Sequence, residues 1–202
     1  LEANFRLFAK DLTSENTDSF LYRDFQARNI MLDDAGNPYF IDFQGGRKGP
    51  FYYDIASFLW QASAKYPHKL RRELIYEYYH SLKNYTEVPS VRHFVERLSL
   101  FVLFRTLQVL GAYGFRGYFE RKKYFIDSIP AAMQNLIELL ELDVFHYPYM
   151  IDMLKRLTQL PQFAPKEEPR QSRTDGLKTD DASIFKGHPQ DGPATFSKYD
   201  GR

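Results

Sequence analysis

Leu1, Phe5, Phe8 and Leu12 recur at helical spacing, so residues 1–12 read as an amphipathic helix ending at a polar turn over 14–19. Between 20 and 42 the period changes. Two short apolar runs, Ile30-Met31-Leu32 and Tyr39-Phe40-Ile41, flank Asp33-Asp34-Ala35-Gly36-Asn37, which is a β-hairpin signal. Matching the runs position by position sets 30 against 41, 31 against 40 and 32 against 39, with 34–37 as the turn. Helical periodicity follows over 53–64, 68–83, 91–110, 124–141 and 148–159. The segment 91–110 is apolar nearly all round from Leu98 onward, which predicts the middle helix of a bundle. The expected fold is mainly α with one short β-hairpin.

Composition sharpens this picture. Of 202 residues, 44% are hydrophobic and 17% aromatic, enough for a real core over 1–160. The pattern fails from Pro161 onward, where Leu177 and Ile184 are the last large aliphatics. Residues 161–202 cannot bury enough apolar surface to offset their ordering entropy and read as a polar linker or disordered tail, with a fused C-terminal domain as a partner to expect. A net charge of +1 gives no general attraction to nucleic acid or an anionic membrane. The absence of Cys excludes disulfides, thiolate zinc sites and cysteine nucleophiles, and fits a cytoplasmic protein. The five His lack ligand spacing, so zinc is not expected. No run approaches ~18 consecutive apolar residues, and no signal peptide is visible. The chain begins at Leu1 and is expected to be a piece of something longer.

Candidate chemistry lies in Tyr22-Arg23-Asp24-Phe25-Gln26-Ala27-Arg28-Asn29 and in Ile41-Asp42-Phe43-Gln44. In the register above, Asn29 falls opposite Asp42, with Cα atoms about 4.5–5.5 Å apart. An amide oxygen and a carboxylate would then meet at the open end of the hairpin, with Asp24 on the loop leading in. Few hard oxygen ligands, with room for water and phosphate, suit Mg²⁺. A second carboxylate off the metal could take a proton from an incoming hydroxyl.

The Asp-x-x-x-x-Asn spacing of Asp24 and Asn29, followed by Asp42-Phe43, resembles the kinase catalytic loop and its metal-binding Asp-Phe-Gly. Gly49 and Asp54 before an apolar helix resemble a segment of the aminoglycoside phosphotransferase-like branch. Within that branch the motifs are similar to those of bacterial kinases for the anomeric hydroxyl of N-acetylmuramate and N-acetylglucosamine. The resemblance spans about residues 1–160. It implies the C-terminal lobe of a protein-kinase-like α+β fold with the N-terminal lobe missing: catalytic loop 22–29, metal-binding segment 41–44 and helical bundle 54–160. It implies Asp24 as catalytic base, Asn29 and Asp42 as Mg²⁺ ligands, Asp54 and Tyr22 as supports of the loop, and ATP and Mg²⁺ as cofactors. Tyr22 stands where the family usually has His, and Gln44 where Gly would follow Asp-Phe.

Other residues read two ways. Arg28 reaches a γ-phosphate or pairs with a nearby acid. Residues 44–49 form an anion-binding nest that would bring in Gln44, or, as favoured here, a flexible Gly loop with solvated charges. Gly111 to Lys123 reads as a second Gly-rich, basic connector. Arg105 and Gln108, on an apolar helix, need partners if buried and are candidates to line an acceptor pocket. The aromatics, Trp60 included, read as core. Two functions compete: a small-molecule kinase acting on a sugar or amino sugar, whose isolated fragment is inactive, and a non-catalytic kinase-like regulatory module fused to another domain.

Overall fold

The computed structural model describes residues 1–163; the tail expected over 161–202 falls almost wholly outside them. Six α-helices and four three-residue strands make up the described chain: α1 (Glu2–Thr13), β1 (Ser19–Leu21), β2 (Ile30–Leu32), β3 (Pro38–Phe40), β4 (Arg47–Gly49), α2 (Tyr52–Leu59), α3 (His68–Leu82), α4 (Val91–Gly114), α5 (Lys123–Leu140) and α6 (Pro148–Thr158). It is a mostly helical protein with two small antiparallel sheets, β1–β4 and β2–β3.

Sequence chemistry sets the helix ends. Pro67 immediately precedes α3, Ser90 caps α4 by accepting the His93 N–H, and Pro148 occupies the first turn of α6, where a missing N–H costs nothing. Asn4 on α1 completes that last cap: its Oδ1 accepts the N–H groups of Tyr149 and Met150 at 2.9 and 3.2 Å.

The core lies where α4 packs against α2 and α5. Leu103, Val102, Phe94, Leu59 and Leu136 are wholly buried there. Phe94 sits among Tyr52, Tyr79 and Phe51, with ring centroids 5.2, 5.1 and 6.3 Å away. From Val91 to Phe119 the helix is long and apolar enough to cross a membrane by length and composition alone; in this fold it is the central helix of the bundle.

Three local expectations fail. Gly111 and Gly114 do not begin a connector: α4 continues through both and then widens into a π turn, Phe115–Phe119. Gly117 in that turn lets α5 come close, since a Cβ there would stand 2.9 Å from the Ile126 side chain. Residues 47–49 are not a flexible loop either. They form β4, paired Ser19 to Gly49, Phe20 to Lys48 and Leu21 to Arg47. Gly49 lets the two strands pack closely, because a Cβ there would fall 2.0 Å from Leu21 Cδ1 and force that buried side chain to move.

The hairpin register also differs by one residue. Ile30 pairs with Phe40, Met31 with Tyr39 and Leu32 with Pro38. Turn chemistry decided this over apolar matching. Asp33 Oδ1 accepts the N–H groups of Ala35 and Asn37 at 3.0 and 2.8 Å, and Gly36 takes φ +83°. That closes a three-residue loop between Asp33 and Asn37. In consequence Asn29 opposes Ile41, whose N–H it accepts at 3.1 Å, and not Asp42.

Candidate active site

The segment after β1 is held from the bundle side. Asp54, in the first turn of α2, accepts the N–H of Tyr22 on Oδ2 at 2.6 Å and that of Arg23 on Oδ1 at 2.9 Å. Arg23 has φ +76°, a left-handed backbone that a non-Gly residue adopts only when its surroundings hold it there. Burial pushes the Asp54 carboxyl above its ordinary value, against the pull of the two N–H donors and the Arg105 charge. The Tyr22 ring is buried edge-on to Phe25 and Phe40, and its hydroxyl donates to the Ile41 carbonyl. That bond ties the loop to the strand leading to Asp42. Desolvation first, then the charges of Asp42, Asp24 and Asp54, hold the Tyr22 phenol above its ordinary value.

Asp24 stands at the centre of a closed polar turn. Asn29, itself buried, donates Nδ2 to the Asp24 carbonyl at 2.9 Å and to its Oδ2 at 3.2 Å. Gln26 donates to Asp24 Oδ1, and Arg28 lies 3.7 Å from Oδ2. Gln61, beyond α2, accepts the Ala27 N–H at 3.1 Å. Asp42 is exposed, has φ +68°, and receives Gln44 Nε2 at 2.6 Å. Among the described residues, neither Asn29 Oδ1 nor Asp42 Oδ2 has a protein hydrogen-bond partner.

Asp24 also lines a small open cavity of about 70 Å³. Its walls include Ser57, Trp60 and Gln61 from the α2 side, Arg105, Thr106 and Tyr113 from α4, and Asn135 from α5. Arg105 donates to the Tyr53 hydroxyl (2.7 Å), Gln108 Oε1 (2.8 Å) and Ser57 Oγ (2.9 Å), and its guanidinium lies 4.8 Å from the Tyr53 ring centre. Behind the wall, the buried Arg71 of α3 donates to Asn135 Oδ1 at 3.1 Å, pairs with Glu138 at 3.5 Å and sits 5.3 Å from the Trp60 ring. Asn135 returns a bond to the Trp60 carbonyl at 3.1 Å. Trp60 is half-buried, packing against the core as the sequence suggested and also forming part of the cavity wall.

The candidate residues thus fall into three groups. Asp24, Asn29 and Arg28 are in contact, Asp42 and Gln44 form a separate pair, and Arg105 lines the same cavity as Asp24 while bonding to Tyr53, Ser57 and Gln108. The sequence reading did not single out Gln61, Ser57, Asn135 or Arg71. One signal was available for Asn135: it is a polar residue on the buried stripe Ala132, Met133, Leu136, Leu139.

Residues 1–92, which carry all of these groups except those on α4 and α5, match the family model described as the phosphotransferase enzyme family. This part of the chain is similar to that family. The protein is also similar to an N-acetylmuramate/N-acetylglucosamine kinase of Pseudomonas aeruginosa, 26% identical over 147 residues. The match takes in 72% of this chain but spans only 42% of the kinase's length.

Proposed function

We propose that this protein is the catalytic part of an ATP- and Mg²⁺-dependent phosphotransferase acting on a hydroxyl of a small molecule, a sugar or amino sugar first. The observation that carries the reading is Asp24, a carboxylate that lines the cavity while locked by Asn29 and Gln26. A carboxylate so held can orient an acceptor hydroxyl and take its proton, and loose phosphoryl-transfer transition states ask for little more from a base. Asn29 Oδ1 and Asp42 Oδ2 are hard oxygens without a hydrogen-bond partner among the described residues, a donor set suited to Mg²⁺ completed by water and phosphate. The ion, when bound, supplies charge neutralisation at the phosphates. Gln44 and Arg28 orient the two carboxylates they touch; Tyr22 and Asp54 fix the loop backbone.

In kinase-like folds an N-terminal lobe covers the nucleotide with a Gly-rich loop and a strand Lys. The four strands here have three residues each, too short for such a cover. We therefore place nucleotide affinity and full activity, in the cytoplasm, with the longer protein.

The deciding assay is acceptor-dependent ADP release from Mg·ATP by the full-length gene product across a panel of sugars and amino sugars. Release that requires a sugar and stops with chelator is expected. No acceptor-dependent release from any member would leave a binding or regulatory module instead.

A further inference from the structure

A cavity of about 70 Å³ leaves little room for a substrate. It is about half of the roughly 150 Å³ void that takes up one benzene ring. Asp24 therefore meets only the reacting end of an acceptor inside it, and whatever the acceptor carries beyond that end lies over the rim. One stretch of the rim is aromatic. Tyr113, half-buried, lines the cavity, and its ring centre stands 5.6 Å from that of the half-buried Phe125. Phe125 meets Tyr124 edge to face at 5.4 Å, and Tyr124 ends the series 63% exposed. Arg116 covers the Phe125 ring at 5.3 Å, which leaves Tyr124 as the open ring. Tyr124 also stays close to the mouth. Burial first, and then Tyr124, hold the Tyr113 phenol above its ordinary value, while Arg105 and Arg28 pull it down, so all three groups stand near it. The backbone explains this placement. Beyond Tyr113 the chain widens into the π turn Phe115–Phe119, and Gly117 there lies so close to Ile126 that a Cβ would fall 2.9 Å from its side chain. That approach folds the first turn of α5 back against the end of α4 and sets residues 124 and 125 beside 113. Such π turns interrupt an otherwise good helix and recur at functional sites.

We infer that Tyr124 is an outer subsite of the cavity and that the acceptor is longer than one ring. It is a disaccharide or larger glycan, whose second ring lays its apolar face on Tyr124 while Asp24 takes a hydroxyl of the first. The inference rests on the phosphotransferase reading for the word acceptor, but the binding it asserts stands apart from transfer. The C–H groups on one face of a sugar ring carry partial positive charge and suit the negative face of a phenol ring. A Tyr side chain has only two χ angles to order, so it gives large contact area at little entropic cost. Contact of this kind asks for a second ring and is tolerant of its substituents.

The test uses two sugars that differ by one ring, N-acetylglucosamine and its β-linked disaccharide chitobiose, titrated calorimetrically into the full-length protein. Stacking of the added ring predicts about 10-fold tighter binding of the disaccharide. In Tyr124→Ala the ratio falls toward one, whereas Tyr124→Phe and Tyr124→Trp keep it because a ring remains. The wild-type ratio alone decides the matter if the variants do not fold. A wild-type ratio near one overturns the inference. So does binding of neither sugar, or a ratio that survives in a folded Tyr124→Ala. Phosphate transfer to the monosaccharide together with a ratio near one would remove the subsite and leave the transferase reading standing. A ratio that is lost in Tyr124→Ala, without transfer from Mg·ATP to either sugar, would instead remove the transferase reading and leave Tyr124 in a glycan-binding site.

Discussion

The segment 18–50 and the helices that follow it are built on opposite terms. In the bundle, Phe94, Leu103, Leu136 and Met150 are wholly buried, and apolar contact specifies the positions. In 18–50, Phe20, Met31, Leu32, Tyr39, Phe40, Ile41 and Phe43 are all exposed, and the chain is held by polar bonds to particular atoms. Asp54 holds the backbone of Tyr22 and Arg23, Asp33 shapes the hairpin turn, and Tyr22 ties the loop to Ile41. The chemistry sits on the part with almost no core. Geometry there is set by directional bonds to a scaffold, so a substitution should disturb function far more than stability, while the reverse holds in the bundle.

The strongest way to break that contrast is Asp24→Asn. The new amide keeps the shape but presents a donor to Gln26 or Asn29, which already donate there. Turnover by the full-length enzyme should fall about 10²–10⁴-fold while the melting temperature moves by only a few degrees. Near-normal turnover, or a large loss of stability, would contradict the division. Arg71→Met is the mirror experiment. Removing one partner of a buried ion pair should lower unfolding free energy by about 3 kcal/mol, the low end of such costs, because Glu138 keeps His68 and Gln134. Denaturant titration measures it. If stability holds while acceptor affinity collapses, Arg71 belongs with the site.

Asp42→Ala sharpens the contrast inside the polar segment. It removes the anionic member of the proposed Mg²⁺ pair and should shift the Mg²⁺ dependence of nucleotide binding about 10-fold or more. An unchanged Mg²⁺ titration would reassign the metal. The smallest effect is expected at Asp33. Its hydrogen bonds to Asn37 hold the carboxyl below its ordinary value. The stability it contributes is therefore present above the ordinary carboxylate range and is lost as pH falls through the depressed value. Protection of the hairpin amides, taken relative to their intrinsic exchange rate at each pH, should fall in acid in the wild type, and Asp33→Ala should show that lowered protection already at neutral pH, with global melting unmoved.

The same contrast explains what the sequence made legible. Helices α3 to α6 were readable to within a few residues because a repeating apolar stripe reports burial directly. The hairpin was readable as a hairpin, but its register was not: two apolar runs of equal length invite matching, whereas Asp33 and Gly36 fix the turn one residue away. Strand β4 was missed because Arg47-Lys48-Gly49 has neither β-branched residues nor alternation, and its pairing depends on Gly49 slipping under Leu21. Candidate site residues stood out through motif spacing. The contacts that hold Asn135 and Trp60 at the cavity wall did not, since Arg71 and Asn135 lie 64 positions apart and no local pattern joins them.

The cap that Asn4 provides to α6 spans 145 residues of chain. During synthesis at about 5–20 residues per second, α1 would wait roughly 7–30 s for the helix that completes it. Phe8, which ends edge-on to Tyr147 at 5.3 Å, spends that interval without its partner. Helix α1 is thus among the last elements described to be seated, and the nascent chain carries an uncovered aromatic for a chaperone to find.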